Sequence, residues 1–127
     1  MRFIKLHLNA MDSEVEIDLS SIDGISEEEN KTIITVLEFP MKKYIVKESL
    51  SDIRDIIQSF EPYAWQYNSN DKMPDWIKEL IKTGKLLRDE EGLSTTGCLL
   101  ILPNEFILWD GEDVVVLDEI VFYKIFQ

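Results

Sequence analysis

The sequence predicts an α+β fold, with antiparallel strands in two small lobes and two short helices between or against them. Three observations lead there. Apolar residues alternate with polar ones through most of the first 47 positions, and apolar runs of strand length return after position 97. Between positions 50 and 83 the spacing changes to that of a helix face. Short segments rich in Gly, Pro, Asn and Asp separate the strand-like runs, which suits antiparallel neighbours joined by tight turns.

Taken in order, residues 2–8 form a strand with Ile4, Leu6 and Leu8 on one face. "NAMDS" supplies a turn, and Val15, Ile17 and Leu19 alternate with Glu14, Glu16 and Asp18 to close a hairpin. The polar stretch "SSIDGISEEEN" reads as a connection to a second strand pair, "TIITVLEF" and "KKYIVK", which flank Pro40. Leu50, Ile53, Ile56, Ile57 and Phe60 then mark a helix over about 50–60, with Ser49 or Ser51 as its cap and Asp52 in its first turn. "EPYAWQYNSNDKM" has no sustained period and reads as a connection. Its rings Tyr63, Trp65 and Tyr67 are expected to pack at the junction of the two halves. Pro74 suits a first helical position, Trp76, Ile77, Leu80 and Ile81 make a stripe, and Gly84 suits the stop, giving a second helix over 74–83. "CLLIL", "EFILW", "DVVVLD" and "IVFYKIF" follow as strands separated by "PN", "DGE" and "DE". The expected organisation is an N-terminal β lobe plus helix over 1–60, a connection over 61–73, and a helix with C-terminal hairpins over 74–127. These parts are compatible with one compact domain.

At 127 residues, with 45% hydrophobic and 10% aromatic side chains, the chain has enough apolar surface for a real core. No run long enough to span a membrane occurs, and the N-terminal residues alternate where a signal peptide would have an apolar block. A cytoplasmic protein is therefore expected. Cys98 stands alone within "CLLIL", so an intrachain disulfide is excluded and a small buried hydrophobe is expected there.

Charge is the outlier. The chain carries 13 basic and 25 acidic side chains, a net charge of −12 with pI near 4.4. Solubility asks only about 2 to 8 of a small domain. The acids are also uneven. Residues 12–29 hold eight (Asp12, Glu14, Glu16, Asp18, Asp23, Glu27, Glu28, Glu29) and residues 89–123 hold nine (Asp89, Glu90, Glu91, Glu105, Asp110, Glu112, Asp113, Asp118, Glu119), with no Lys or Arg in either block.

Two segments resemble known small proteins. "KKYIVKESLSDIRDII", residues 42–57, is similar to the FlbD-like family, in which a Lys-Tyr-apolar-Val-Lys-Glu-Ser strand runs into a helix. Residues 74–127 resemble small phage proteins that open a helix with Pro-x-Trp and end in a Gly-Asp-aromatic-Ile-Ile strand, a Gly-Glu turn, a Tyr and a final Ile-Phe. Gly111, Asp113, Val114, Val115, Glu119, Tyr123, Ile125 and Phe126 fit that pattern, while Leu117 and Asp118 stand where those proteins have turn glycines. The resemblance implies an origin, as a phage or prophage accessory protein, and transfers no catalytic residue.

The residues themselves offer little for catalysis. The lone His7 reads as an ordinary strand residue, and the glycines at 24, 84, 92, 97 and 111 form neither a dinucleotide-binding nor a phosphate-binding loop. "DEEG" at 89–92 and "DGED" at 110–113 are where Ca²⁺ or Mg²⁺ would sit, but neither has the alternating ligands of an EF-hand. Glu105 and Asp113 are nominal acid/base candidates only. No enzyme, metal or cofactor is expected.

What remains is the acidic surface. Alternate strand residues lie about 7 Å apart on one face, so Glu14, Glu16 and Asp18 are expected to form a row inside one Debye length of about 8 Å. Such a row imitates a stretch of nucleic-acid backbone and would be drawn to a groove built to collect phosphates. The plain alternative is a solvated face. The expectation is a non-enzymatic, phage-encoded inhibitor that binds a basic nucleic-acid-binding surface of a host defence or DNA-handling protein, such as a CRISPR effector, as an anti-CRISPR-like nucleic-acid mimic. Its contacts would be Glu14, Glu16, Asp18, Glu27, Glu28, Glu29, Asp110, Glu112 and Asp113, with neither nucleic acid nor membrane bound directly. The alternative is a self-associating assembly accessory, a homo-oligomer built through edge pairing of "CLLIL" and "EFILW".

Overall fold

Alternation decides the first hairpin. Strands β1 (Phe3–His7) and β2 (Glu14–Asp18) pair antiparallel with Ile4 opposite Ile17 and Leu6 opposite Val15, so one face is apolar and the other charged. The structure, a computed structural model, describes residues 2–38, 40–60, 63–68, 72–96 and 100–126. After a 3-10 turn at Leu19–Ser21 the chain enters β3 (Ile22–Glu28), which pairs with β4 (Lys31–Val36), and β4 pairs with β5 (Lys42–Val46).

The expected polar connection over 20–30 is thus corrected to a strand. Its register slips between Ile22 and Gly24, and this irregularity lets Ile22 and Ile25, three apart, both turn into the core. A period-two reading misses that pattern. Glu29 and Asn30 both take positive φ, 47° and 65°, which makes the two-residue turn whose twist matches a hairpin. A bridge from Leu8 to Val46, with Lys47 N–H donating to the His7 carbonyl at 2.8 Å, joins β1 to β5.

Helix α1 (Leu50–Ile56) starts as expected. Ser49 accepts from Asp52 N–H and the Asp52 carboxylate accepts from Ser49 N–H, a reciprocal capping box. It ends earlier than the expected residue 60, giving way to a 3-10 turn at Gln58–Phe60. The supposed connection 61–73 contains a strand, β6 (Ala64–Gln66), too short for a period to declare itself. Helix α2 (Asp75–Lys82) has Pro74 as the residue before its first turn, one place earlier than expected. Its end is a Schellman motif: Gly84 at φ 81°, with Gly84 N–H bonded to Ile81 O and Lys85 N–H to Leu80 O.

Beyond α2 the reading needs three corrections. "DEEG" is the turn of a hairpin, β7 (Leu86–Asp89) and β8 (Gly92–Thr95), with the Asp89 carboxylate accepting from Glu91 N–H. In "CLLIL", Cys98 and Leu99 lie outside the described residues, while Leu100 makes an isolated bridge to Ser94 and belongs to no described strand. Strands β9 (Phe106–Trp109) and β10 (Val114–Leu117) form as expected, but "IVFYKIF" is a helix, α3 (Glu119–Phe126). The "DE" read as a hairpin turn is its start, where the Asp118 carboxylate accepts from Ile120 N–H. β-branched and aromatic residues favour a strand locally. Here packing overrides that preference: Val121 and Ile125 bury one turn apart, and Phe122 stacks on Phe106 with centroids 3.7 Å apart.

The three-stranded sheet β10-β9-β6 has a core on each face. Phe106, Leu108, Val115 and Leu117 join a cluster made with Ile4, Leu6, Ile17, Ile34, Ile53 and Phe60, closed by α1 and α3. Ile107 faces the other way, onto Ile77, Leu80, Leu86, Leu93 and Ile101. The first cluster therefore draws on both sides of the expected 61–73 boundary. Among the described residues no helix is long and apolar enough to cross a membrane.

Candidate partner-binding surface

Each acid of the expected row on β2 lies opposite a residue of β1: Asp18 faces Phe3, Glu16 faces Lys5 and Glu14 faces His7. Arg2 donates to both Asp18 carboxylate oxygens, at 2.9 and 2.7 Å. Cations absent from residues 12–29 are thus supplied across the hairpin, and the row is interleaved with positive charge. The signal that could have found this was the hairpin itself, since pairing residues 2–8 with 14–18 brings Arg2, Lys5 and His7 alongside.

His7 is tied further. Its ring Nδ1 lies 2.7 Å from the Glu48 carboxylate, and its backbone N–H donates to the same carboxylate at 2.9 Å. The side-chain bond to Glu48 holds the imidazole above its ordinary value of 6.5, against a smaller desolvation effect. On Glu48, burial favours the neutral acid, but the bonds from the His7 ring and backbone outweigh it and hold the carboxyl below the usual range.

The remaining expected contacts divide by role. Glu27 accepts from Leu50 N–H at 3.0 Å and so satisfies an orphan donor at the start of α1. Glu28 and Glu29 are exposed on the β3–β4 turn. Asp110 accepts from the N–H groups of Glu112 and Asp113, at 2.9 and 2.8 Å, and fixes the β9–β10 turn around Gly111 at φ 93°. Burial of Asp110 works against its charge, yet the carboxyl is held below its ordinary value, with the bond from Asp113 N–H foremost among the causes that lower it. Among the described residues no three His, Cys, Asp or Glu side chains gather as a metal would require.

The two acidic blocks meet at one cation. Asp18 from the first and Asp113 from the second both act on Arg2; its hydrogen bond to Asp18 is the main cause that keeps the guanidinium protonated beyond its ordinary range. Beside Arg2 opens a groove of about 320 Å³. Its apolar rim is Leu37, Leu100 and Leu102, which are 61%, 48% and 55% exposed. Its charged lining includes Lys85, Glu105, Glu112 and Asp113, so both nominal acid/base residues of the sequence reading reach it. Glu105 is half-buried: desolvation raises its carboxyl and Asp118 adds to the rise, while Leu102 N–H, donating at 2.6 Å, opposes it. No signal in the sequence announced this groove, because its walls come from residues 2, 20, 37, 85, 95–96, 100–102, 105, 112–114 and 116.

The expected edge pairing of "EFILW" is corrected by the sheet order. Strand β9 is flanked by β10 and β6 and presents no free edge. Trp65, Tyr67, Trp76 and Trp109 are half-buried against the second cluster, and Tyr63 meets Trp76 edge-on at 5.7 Å.

Compared with protein-family models, curated proteins and solved structures, the chain matches none.

Proposed function

We propose that this chain is a non-enzymatic acidic inhibitor, of the phage accessory kind its segments resemble, that docks on a basic nucleic-acid-binding surface of a host protein. One observation carries the reading: exposed carboxylates at rigid hairpin tips. Glu28 and Glu29 sit at the β3–β4 turn, Glu90 and Glu91 at the β7–β8 turn, and Glu112 at the β9–β10 turn. Positive-φ residues at Glu29, Asn30, Gly92 and Gly111 set these turns, so the backbone that carries the charge has little entropy left to lose on binding. Ion pairing within the chain does not change the net −12 that a distant cationic surface feels.

The contact surface moves accordingly from the β2 row, which β1 interleaves with Arg2, Lys5 and His7, to the turns. The test is capture of partners from a bacterial lysate, washed at graded salt and challenged with DNA and RNA. A basic nucleic-acid-binding protein should be held at low salt, released near about 1 M salt where the Debye length is about 3 Å, and displaced by nucleic acid. Reversing Glu28, Glu29, Glu90 and Glu91 to Lys should abolish capture. Retention indifferent to salt and to nucleic acid sinks the reading.

A further inference from the structure

We propose that the corner formed by Tyr63, Trp76 and Trp109 is a site for an arginine side chain, supplied by the basic partner. Three separate elements build it. Trp76 stands in the first turn of α2, Trp109 ends β9, and Tyr63 comes just before β6. Trp109 N–H donates to the Tyr63 carbonyl at 3.0 Å and Tyr63 N–H donates to the Phe60 carbonyl at 3.2 Å, so the backbone that carries these two rings is fixed. Together the three bound a shallow depression of about 740 Å³.

Ring geometry makes the corner. The Tyr63 and Trp76 centroids lie 5.7 Å apart with their planes inclined at 62°, so a face of each ring bounds the space beside the pair. A cation is attracted to a ring face within about 6 Å of the centroid, and one cation in that angle can therefore reach both. Tyr63 is 46% exposed and packs in neither hydrophobic cluster, so core packing does not account for where it stands.

The charge beside the rings agrees with them. Glu79 of α2 and Glu112 of the β9–β10 turn line the depression and are exposed, against the single ammonium of Lys85. Among the described residues neither carboxylate makes an ion pair, and no cation lies over these rings, Lys85 included. Thr83 completes the wall at the C-terminal end of α2, the end of a helix that favours positive charge.

The openness of the depression selects the cation. A compact ammonium holds its hydration strongly, whereas a planar, weakly hydrated guanidinium lies flat on a ring and turns its edge N–H groups to carboxylates. With Tyr63 and both acids exposed, the corner suits the second. Glu112 also belongs to the hairpin tips assigned to partner contact, so the corner is continuous with that surface. The partner as the source of the arginine rests on the function proposed above, whereas affinity for a guanidinium stands apart from it.

The probe is a blocked Gly-Arg-Gly peptide titrated into the isotope-labelled full chain, with its citrulline and lysine counterparts and choline for comparison. Arginine should shift the indole N–H signals of Trp76 and Trp109 and leave that of Trp65, which is outside the lining, in place. Citrulline, alike in shape but uncharged, should shift none of them, and lysine should bind about fivefold more weakly. Tyr63→Ala, Glu79→Gln and Glu112→Gln, all at exposed positions, should each weaken arginine binding about threefold, while Glu90→Gln on the β7–β8 turn leaves it unchanged. Signal dispersion like the parent's shows that each variant is folded. Equal binding of citrulline and arginine, tighter binding of choline than of arginine, or full affinity in Tyr63→Ala overturns the proposal. In capture from lysate, the double variant Tyr63→Ala, Glu79→Gln should release the partner at lower salt than the parent does. Arginine binding in the expected pattern with no basic partner from lysate keeps the site and removes the inhibitor reading. Salt-dependent capture of a basic partner by a chain whose indoles ignore the arginine peptide does the reverse.

Discussion

The two faces of the central sheet are packed differently. On one, Phe106, Leu108, Val115 and Leu117 meet aliphatic side chains and Phe60, all almost wholly buried, and are sealed by α1 and by α3, whose Phe122 stacks on Phe106. On the other, Ile107 and a smaller set of buried residues are ringed by half-buried Trp65, Tyr67, Trp76 and Trp109. Grooves open on the second side: the one beside Arg2, and a shallower one of about 740 Å³ bounded by Tyr63, Trp76 and Trp109. The first face holds the molecule together. The second trades some packing for surface that a partner can reach.

Adjacent residues of β9 put this difference to its sharpest test, since Leu108 points into the first cluster and Ile107 into the second. Leu108→Ala should cost about 4 kcal/mol, read from the urea unfolding midpoint, because the sealed side has little room to collapse onto the cavity. Ile107→Ala should cost about 2–3 kcal/mol, with amide exchange quickening in α2, β7 and β8 before β1–β5. A larger loss at Ile107 than at Leu108 breaks the contrast. Gly92→Ala probes the second face alone. Gly92 has φ 126° and an added Cβ would come within 2.9 Å of the Tyr67 hydroxyl, so a loss of about 1–2 kcal/mol is expected in thermal unfolding.

The smallest effect belongs to the first region and depends on pH. His7 is raised, so its contribution is complete below its ordinary 6.5 and disappears as pH rises through the folded value. Glu48 is lowered, so its contribution is complete above its ordinary 4.5 and disappears as pH falls through the folded value. The difference in unfolding midpoint between the parent and Glu48→Gln should peak between pH 4.5 and 6.5 and shrink on both sides. A difference that stays as large well below pH 4.5 and well above pH 6.5 as between them would show that the contact is not electrostatic.

Legibility followed the same divide. The first face was readable because its strands alternate cleanly and α1 announces itself with Ser49 and Asp52. Strand β3 escaped because a slipped register put Ile22 and Ile25 three apart. On the second face β6 is three residues long, and β7–β8 mixes charged residues with its apolar ones, so neither showed a period. Helix α3 failed for another reason: its composition favours a strand, and only the contact with Phe106 and β3 reveals which alternative wins. Among the candidate contacts, sequence runs located the acids but not their neighbours across the hairpin. Charge blocks counted along the chain omit whatever the fold brings beside them, as Arg2 is brought beside Asp18 and Asp113.

Because β9 supplies side chains to both clusters, neither can close until residues 106–109 have been made. During synthesis the residues that precede β9, including Phe60 and Leu86, leave the ribosome before the side chains that complete either cluster. Such late, long-range closure is slow and leaves nascent chains open to wrong pairing. A high negative charge keeps those waiting chains apart, so the same carboxylates that address a partner also guard the molecule before it has a shape.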